Sequence, residues 1–248
     1  MSDGGKNLTL LGHFQELRKR LIRSIIAVAI TTTISFAFYK WIFHILTLPA
    51  QGTQFVFIEL TEMVGTIMRV CLASGLILAM PYITLQAIMF VSPALTHREK
   101  RYVYLILPWI AFMFLAGVAF GYFILIPPAT TFLITFGSDI ATPQIKIENY
   151  ISIITRLLLA IGLVFEMPVV ITFLARIGIV KANWLASKRK MAIIVAFIFA
   201  AIITPTFDPI NQSLVAIPLI ILYEMCIWLA KLVQRKKAEV VEIPLPES

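Results

Sequence analysis

The sequence predicts an all-α integral membrane protein, and three observations support that class. Hydrophobic residues make up 60% of the 248 residues and charged residues only 14%, whereas soluble domains are roughly half apolar and a quarter charged. The mean hydropathy is +0.92. The apolar residues form six long continuous blocks, unlike the alternating segments of an outer-membrane barrel. Helices satisfy their own backbone hydrogen bonds in lipid, so we expect helical spans.

The six blocks are long enough, or nearly long enough, to cross a hydrocarbon core about 30 Å thick. The predicted spans cover about 21–43, 64–90, 102–126, 150–174, 191–203 and 214–232. The fifth block reaches only about 20 Å as a helix, and the last two spans are predicted to be short. Basic residues lead into a first block too long for a cleavable signal peptide, so this block should remain in the membrane. We therefore interpret residues 1–237 as one transmembrane domain and 238–248 as a disordered tail.

The distribution of positive charge predicts the orientation in the membrane. The net charge of +8 could indicate a nucleic-acid partner, but most of the 21 basic residues flank the spans on one side. Lys40 and Lys146 fall on the other side, while Arg69 and Arg156 lie inside spans. Because basic flanks stay in the cytoplasm, both termini are predicted to be cytoplasmic, the chain is surrounded by membrane lipid, and no nucleic-acid partner is expected.

Glu166 is the first candidate functional residue, because it lies in the middle of the apolar run 157–174. A carboxylate at the centre of a span costs roughly 3 kcal/mol on insertion scales. It should therefore face protein, water or a ligand rather than lipid, and we interpret it as an intramembrane polar site. Pro168, two residues further on, predicts a break or kink in the helix beside the carboxylate.

Two more carboxylates are predicted near the cytoplasmic edge. Glu16 lies in an amphipathic segment, 10–23, and is spaced to pair with Arg20 one turn later. Glu99 follows the turn between the second and third spans. If both carboxylates face one groove, they form a cation site suited to guanidinium groups. The alternatives are that Glu16 only pairs with Arg20 and that Glu99 only balances its basic neighbours.

The loop between the last two spans, 204–212, is polar and has no basic residue. Because the fifth span is short, this loop would lie near membrane depth, where polar groups favour the docking of another helix. The alternative is an ordinary turn in which Asp208 caps the last span.

Motifs for catalysis or metal binding do not occur. The histidines His13, His44 and His97 lie outside the spans, and the sequence has no HExxH, GxSxG or Walker motif. Cys71 and Cys226 fall within spans and are interpreted as small core residues. We therefore expect no enzyme, no metal and no cofactor.

Four groups of residues stand out along the chain: HFQELRKRL at 13–21, SPAL at 92–95 followed by EKR at 99–101, FEMP at 165–168, and Thr204-Pro205 with Asp208 and Gln212. They resemble motifs of the TatC family and occur in its order and spacing from His13 to about Leu232. That family is the multispanning receptor subunit of the twin-arginine protein translocase.

The resemblance implies six helices in a concave wall, in the cytoplasmic (inner) membrane of a prokaryote. It also implies that Glu16 and Glu99 bind the paired arginines of a substrate's signal peptide. Arg18 and Phe90 match further positions of that binding site, and Pro49 matches a loop position that the family treats as important.

The resemblance assigns roles to the remaining candidates as well. Glu166 is similar to the family's in-membrane polar residue on the concave face. Thr204 and Gln212 resemble the docking site for single-span partner helices of TatA or TatB type, with Asp208 in the same loop. This loop lacks a second proline that is common in the family.

The function implied is a signal-peptide receptor and core assembly subunit that exports folded proteins. The proton motive force would drive export, and oligomers and partner proteins would be required, since six helices cannot enclose a folded protein. One rival is a proton-coupled small-solute transporter, in which flux needs Glu166 and ignores Glu16 and Glu99. Another rival is a purely structural scaffold that depends on no carboxylate.

Overall fold

The computed structural model describes the backbone of residues 10–50, 53–91, 97–135, 144–204 and 209–241. Side chains are described for residues 12–50, 53–90, 107–132, 134–135, 144–204, 209 and 212–234. Two predicted site residues are affected, since the side chain of Glu99 and the whole of Asp208 lie outside these ranges.

The described chain is helical apart from two short strands. Its elements are α1 (Leu10–Ala37), α2 (Tyr39–Thr47), a 3₁₀ turn (Leu48–Ala50), β1 (Phe55–Val56), α3 (Glu62–Val91), α4 (His97–Phe120), a π-helical segment (Gly121–Leu125), α5 (Ile126–Thr135), β2 (Ile145–Lys146), α6 (Ile147–Phe165), α7 (Met167–Ile177), α8 (Ala182–Ser187), α9 (Arg189–Ile203) and α10 (Pro209–Val241).

The predicted all-α membrane class is confirmed by the helices that the structure describes. Five of these stretches are long and apolar enough to cross a membrane: Gly12–Ala37, Glu62–Phe90, Leu107–Phe132, Ile147–Ile177 and Gln212–Gln234. The predicted short fifth span, 191–203, lies in α9, which has 15 residues and is shorter than a usual spanning helix. The count of six spans therefore stays a prediction.

The last helix is longer than expected. Its apolar part, Gln212–Gln234, has 23 residues, close to the predicted span 214–232, whereas α9 has only 15. The polar, basic residues that follow Gln234 continue α10 to Val241. The helix thus extends into the segment predicted as a disordered tail, while 242–248 lies outside the described residues.

The third span also continues further than predicted. It was predicted to cover about 102–126, but α4, the π-helical segment and α5 follow one another without interruption to Thr135. Pro127 and Pro128 lie in the first turn of α5. Proline is tolerated in the first turn of a helix, where its missing N–H has the least effect, and π-helical turns of this kind occur within longer helices.

Helix α3 is central to the fold: α1 runs along it, and α4 and α6 also pack against it. The most buried helix is α6, whose residues Tyr150, Ile154 and Ile161 recur at helical spacing on the core side. On the far side of α6, α10 packs against α7 and α9. The functional candidates on α1 and α7 are therefore held by one continuous set of helix contacts.

Small residues bring α1 close to α3. A Cβ atom added to Gly75 would clash with Oγ1 of Thr32 and lie 2.6 Å from its Cα. The hydroxyl of Thr31 donates to the carbonyl of Gly75 at 2.7 Å. Close approach at a small residue, with a hydrogen bond across the helices, is a usual way to join helices in lipid. This crossing fixes the position of α1 relative to α3.

The segment between α2 and α3 contacts the segment that precedes α6. β1 and β2 form a parallel pair in which Phe55 is opposite Ile145. The hydroxyl of Tyr150 donates to the carbonyl of Leu46 at 2.9 Å, just before the 3₁₀ turn. Pro49 lies in that turn, where its fixed φ angle suits a tight bend.

Candidate functional site

The predicted ion pair between Glu16 and Arg20 is present on the first part of α1. Arg20 Nε donates to Glu16 Oε1 at 3.1 Å, and Arg20 Nη2 pairs with the same oxygen. The side chains are only 24% exposed for Glu16 and 17% for Arg20. Because water screens a half-buried pair less than an exposed one, this pair is held more firmly than a typical surface salt bridge.

Gln86 of α3 joins this pair. Arg20 Nη1 donates to Gln86 Oε1 at 3.2 Å, and Gln86 is only 4% exposed. We call Glu16, Arg20 and Gln86 the α1–α3 polar cluster. Sequence reasoning missed Gln86, although an amide in the apolar run 64–90 was a signal that could have found it.

Phe90, the other predicted site residue on α3, lies one turn beyond Gln86. Its ring stacks on His13, with centroids 4.4 Å apart and an interplanar angle of 27°. This contact fixes the start of α1 beside Glu16, so the structure brings Phe90 and Glu16 to the same end of the two helices. Arg18 is exposed on α1.

Glu99 stays a predicted site residue. Its backbone lies in the first turn of α4, but its side chain and the turn 92–96 are outside the described parts of the chain. Whether Glu16 and Glu99 face a shared groove therefore remains a prediction.

Glu166 lies at the break between α6 and α7, as the proline two residues later predicted. It is only 2% exposed. Its carbonyl accepts hydrogen bonds from the backbone of Val169 at 3.1 Å and of Val170 at 3.0 Å. Among the described residues, neither carboxylate oxygen has a hydrogen-bond partner. A buried acid without partners is unusual, and this supports the interpretation of Glu166 as more than a packing residue.

The direction of Glu166 follows from its neighbours on α7. Val169 and Phe173, one and two turns further on, are buried against Leu85 and Ile110 of α3 and α4. Residues at this spacing share one helix face, so Glu166 is on the face of α7 turned towards α3 and α4. The same helix α3 thus separates Glu166 from the α1–α3 polar cluster.

Thr204 and Gln212, the predicted docking residues, both bind carbonyl groups of α9. The Thr204 hydroxyl donates to Ala200 at 2.7 Å, and Thr204 is 8% exposed. Gln212 Nε2 donates to the carbonyl of Phe197 at 2.9 Å and so ties the start of α10 to α9. Asp208 falls within 205–208, outside the described residues.

An ion pair that sequence reasoning did not find joins α9 to α10. Arg189 donates to both carboxylate oxygens of Glu224, with Nε at 2.7 Å and Nη2 at 3.0 Å. The two residues are 35 positions apart, and no local spacing rule relates them. Among the described residues, no cluster of histidine, cysteine or carboxylate side chains could hold a metal ion.

These helices and polar groups define a multi-pass, all-helical membrane protein. The family model described as "Sec-independent protein translocase protein (TatC)" matches residues 12–218. The chain therefore belongs to the TatC family, and it is the receptor subunit of the twin-arginine translocase.

Similar curated proteins carry the name of the same family. The TatC protein of Carboxydothermus hydrogenoformans is 40% identical over 234 residues, which is 94% of this chain and 96% of that protein. The TatC protein of Aquifex aeolicus is 40% identical over 239 residues, covering 94% and 99% of the two chains.

Solved structures with a similar fold also belong to this family. A crystal structure of the twin arginine translocase receptor TatC covers 90% of this chain and 99% of its own, with a TM-score of 0.78 and 40% identity. A second one, in DDM, covers 88% and 99%, with a TM-score of 0.79 and 40% identity. The fold class and the family predicted from the sequence are thus confirmed. The alternative of a small-solute transporter finds no support.

Proposed function

We propose that this translocase subunit recognises export substrates through Glu16 and Glu99, which bind the two arginines of the signal peptide. The observation that carries the proposal is the α1–α3 polar cluster, in which Glu16 already binds a guanidinium group. A carboxylate and a guanidinium form a charge-assisted, often bidentate pair. The pair of Glu16 with Arg20 is therefore the same kind of contact that a substrate arginine would make with Glu16.

Binding can occur by exchange of one guanidinium group for another on Glu16. The incoming arginine takes the place of Arg20 on Glu16, while Arg20 keeps its second contact with Gln86. Because Glu16 is only 24% exposed, its side chain is already partly ordered, so less conformational entropy is lost on binding. A lysine substitutes poorly, since its compact ammonium group cannot reproduce the planar fork of hydrogen bonds.

Phe90 and Arg18 complete the proposed binding site. The stack of Phe90 on His13 holds the first turn of α1 against α3 and keeps the Glu16 backbone in place. Arg18 is exposed on the same helix, where its guanidinium can donate to backbone carbonyls of an extended peptide.

The later steps of export involve other proteins. The apolar part of the signal peptide would lie along the concave wall. Helices of TatA or TatB type would dock at Thr204 and Gln212, in the loop that also contains Asp208, and the Pro49 turn would contribute as a further loop position. Glu166, with two unpartnered carboxylate oxygens, would bind a water molecule or a polar group of a partner helix.

The assembled complex would contain several copies of this subunit in the cytoplasmic membrane of a prokaryote, with both termini in the cytoplasm. The proton motive force would drive transport, and the subunit itself would catalyse no reaction and need no cofactor.

Peptide binding to the full chain in lipid nanodiscs tests the proposed recognition. A labelled signal peptide with two arginines should bind more tightly than the same peptide with two lysines. Glu16→Gln and Glu99→Gln keep the size of each side chain and remove its charge, so each should abolish the preference for arginine. Glu59→Gln is the matched control, since Glu59 is exposed near the start of α3. An arginine preference that survives both substitutions would refute the proposal.

A further inference from the structure

A groove separate from the α1–α3 polar cluster lies between α7, α8, α9 and α10. It has a volume of about 610 Å³, and apolar side chains line most of it, among them Ile171 of α7, Val195 and Phe199 of α9, and Leu219 of α10. The volume falls within the range of about 300–1,000 Å³ that small-ligand sites occupy. The groove is therefore large enough for a bound molecule and almost entirely hydrophobic.

One end of the groove differs from the rest. Lys188, at the junction of α8 and α9, and Trp184 of α8 line that end, and both side chains are exposed. Among the described residues, Lys188 has no ion-pair partner, whereas the next residue, Arg189, is held by Glu224. A tryptophan and a lysine at one end of a hydrophobic surface are typical of the level of lipid headgroups.

The chemistry of the lining favours a lipid chain over a transmembrane helix. Helix contacts in membranes use small residues and interhelical hydrogen bonds along their length. Here larger side chains such as Met167, Met191 and Phe199 make up most of the lining. The methionine side chains are flexible and adapt to a mobile chain. The hydroxyl of Tyr223 also lines the groove, but it already donates to the carbonyl of Leu185 at 2.8 Å.

We propose that this groove binds an anionic phospholipid. One acyl chain lies along Val195, Phe199 and Leu219, and the phosphate group pairs with Lys188 beside Trp184. The positive charge of Lys188 matches the anionic phosphate of such a lipid, and the hydrophobic lining matches its acyl chain. This binding does not depend on signal-peptide recognition at Glu16.

Native mass spectrometry of the full chain tests the proposal with two lipids of identical acyl chains, phosphatidylglycerol and phosphatidylcholine. We expect retained phosphatidylglycerol and weaker binding of phosphatidylcholine. Lys188→Ala should weaken phosphatidylglycerol binding roughly fivefold, the effect of one basic residue near an anionic lipid surface. Lys181→Ala is the matched control, because Lys181 is exposed nearby but does not line the groove.

A second pair of variants tests whether the acyl chain binds in the groove. Val195→Phe fills the groove and should lower the binding of both lipids, whereas Ile193→Phe, at an exposed position of the same helix that does not line the groove, should not. Glycerol phosphate without acyl chains should not bind. Three results would overturn the proposal: equal binding of the two lipids, retention unchanged in Lys188→Ala and Val195→Phe, or occupation of the groove by a second copy of the chain or by a signal peptide that displaces the lipid.

Discussion

At the scale of single residues, the proposed function depends on two carboxylates, Glu16 and Glu166, which differ in their hydrogen-bond partners. Glu16 has a guanidinium partner and sits in a polar cluster, whereas Glu166 has no partner among the described residues. The first arrangement suits exchange of one cation for another. The second suits a group that binds a molecule from outside the chain. Each of these two arrangements leads to a prediction about stability.

Gln86→Leu removes the amide that anchors Arg20. A hydrogen bond to a charged group is worth about 1.5–3 kcal/mol, so the free energy of unfolding should fall by about that amount, and the arginine preference in peptide binding should weaken. Thermal unfolding in detergent measures the first effect. Gln15→Leu is the control, since Gln15 is exposed on α1, and equal stability of the two variants would show that the Arg20–Gln86 contact is unimportant.

Glu166→Gln should leave stability unchanged or raise it. Neither oxygen has a described partner, so the substitution breaks no ion pair and removes a group that is costly to bury as a charge. Thermal unfolding again provides the measurement. A loss of about 3 kcal/mol or more, the usual cost of breaking a buried pair, would show that Glu166 has a partner and contradict the interpretation.

At the scale of elements, the crossing of α1 and α3 positions the proposed binding site. Gly75 and Thr31 set the distance between these helices, and Gln86 and Phe90 extend the same contact towards the start of α1. A change at the crossing should therefore act on Glu16, although it lies several helical turns away.

Gly75→Ala should separate the two helices. The added Cβ would lie 2.6 Å from backbone atoms of Thr32, which cannot move aside without shifting α1. We expect a loss of about 1–3 kcal/mol in stability, the usual cost of overpacking, together with weaker peptide binding. Gly65→Ala is the matched control in the same helix, because nothing lies within 4 Å of its added Cβ. Equal behaviour of both variants would refute the role of the crossing.

At the scale of the whole molecule, the sequence predicted what hydropathy and local spacing determine. The helical membrane class, the short α9, the break at Glu166 and the pair of Glu16 with Arg20 all follow from apolar runs, a proline and the helical repeat. The contacts of Gln86 and of Arg189 with Glu224 were not predictable, because they depend on how distant helices meet.

The most direct test of the account is a double-mutant cycle between Glu16 and the arginines of the signal peptide. Binding of peptides with two arginines, or with glutamine replacing either one, would be measured on the wild type and on Glu16→Gln. For one of the two arginines, we predict a coupling energy of about 1.5–3 kcal/mol, as expected for a charge-assisted hydrogen bond. Losses that simply add for both arginines would mean that Glu16 contacts neither, which would contradict the proposed recognition site.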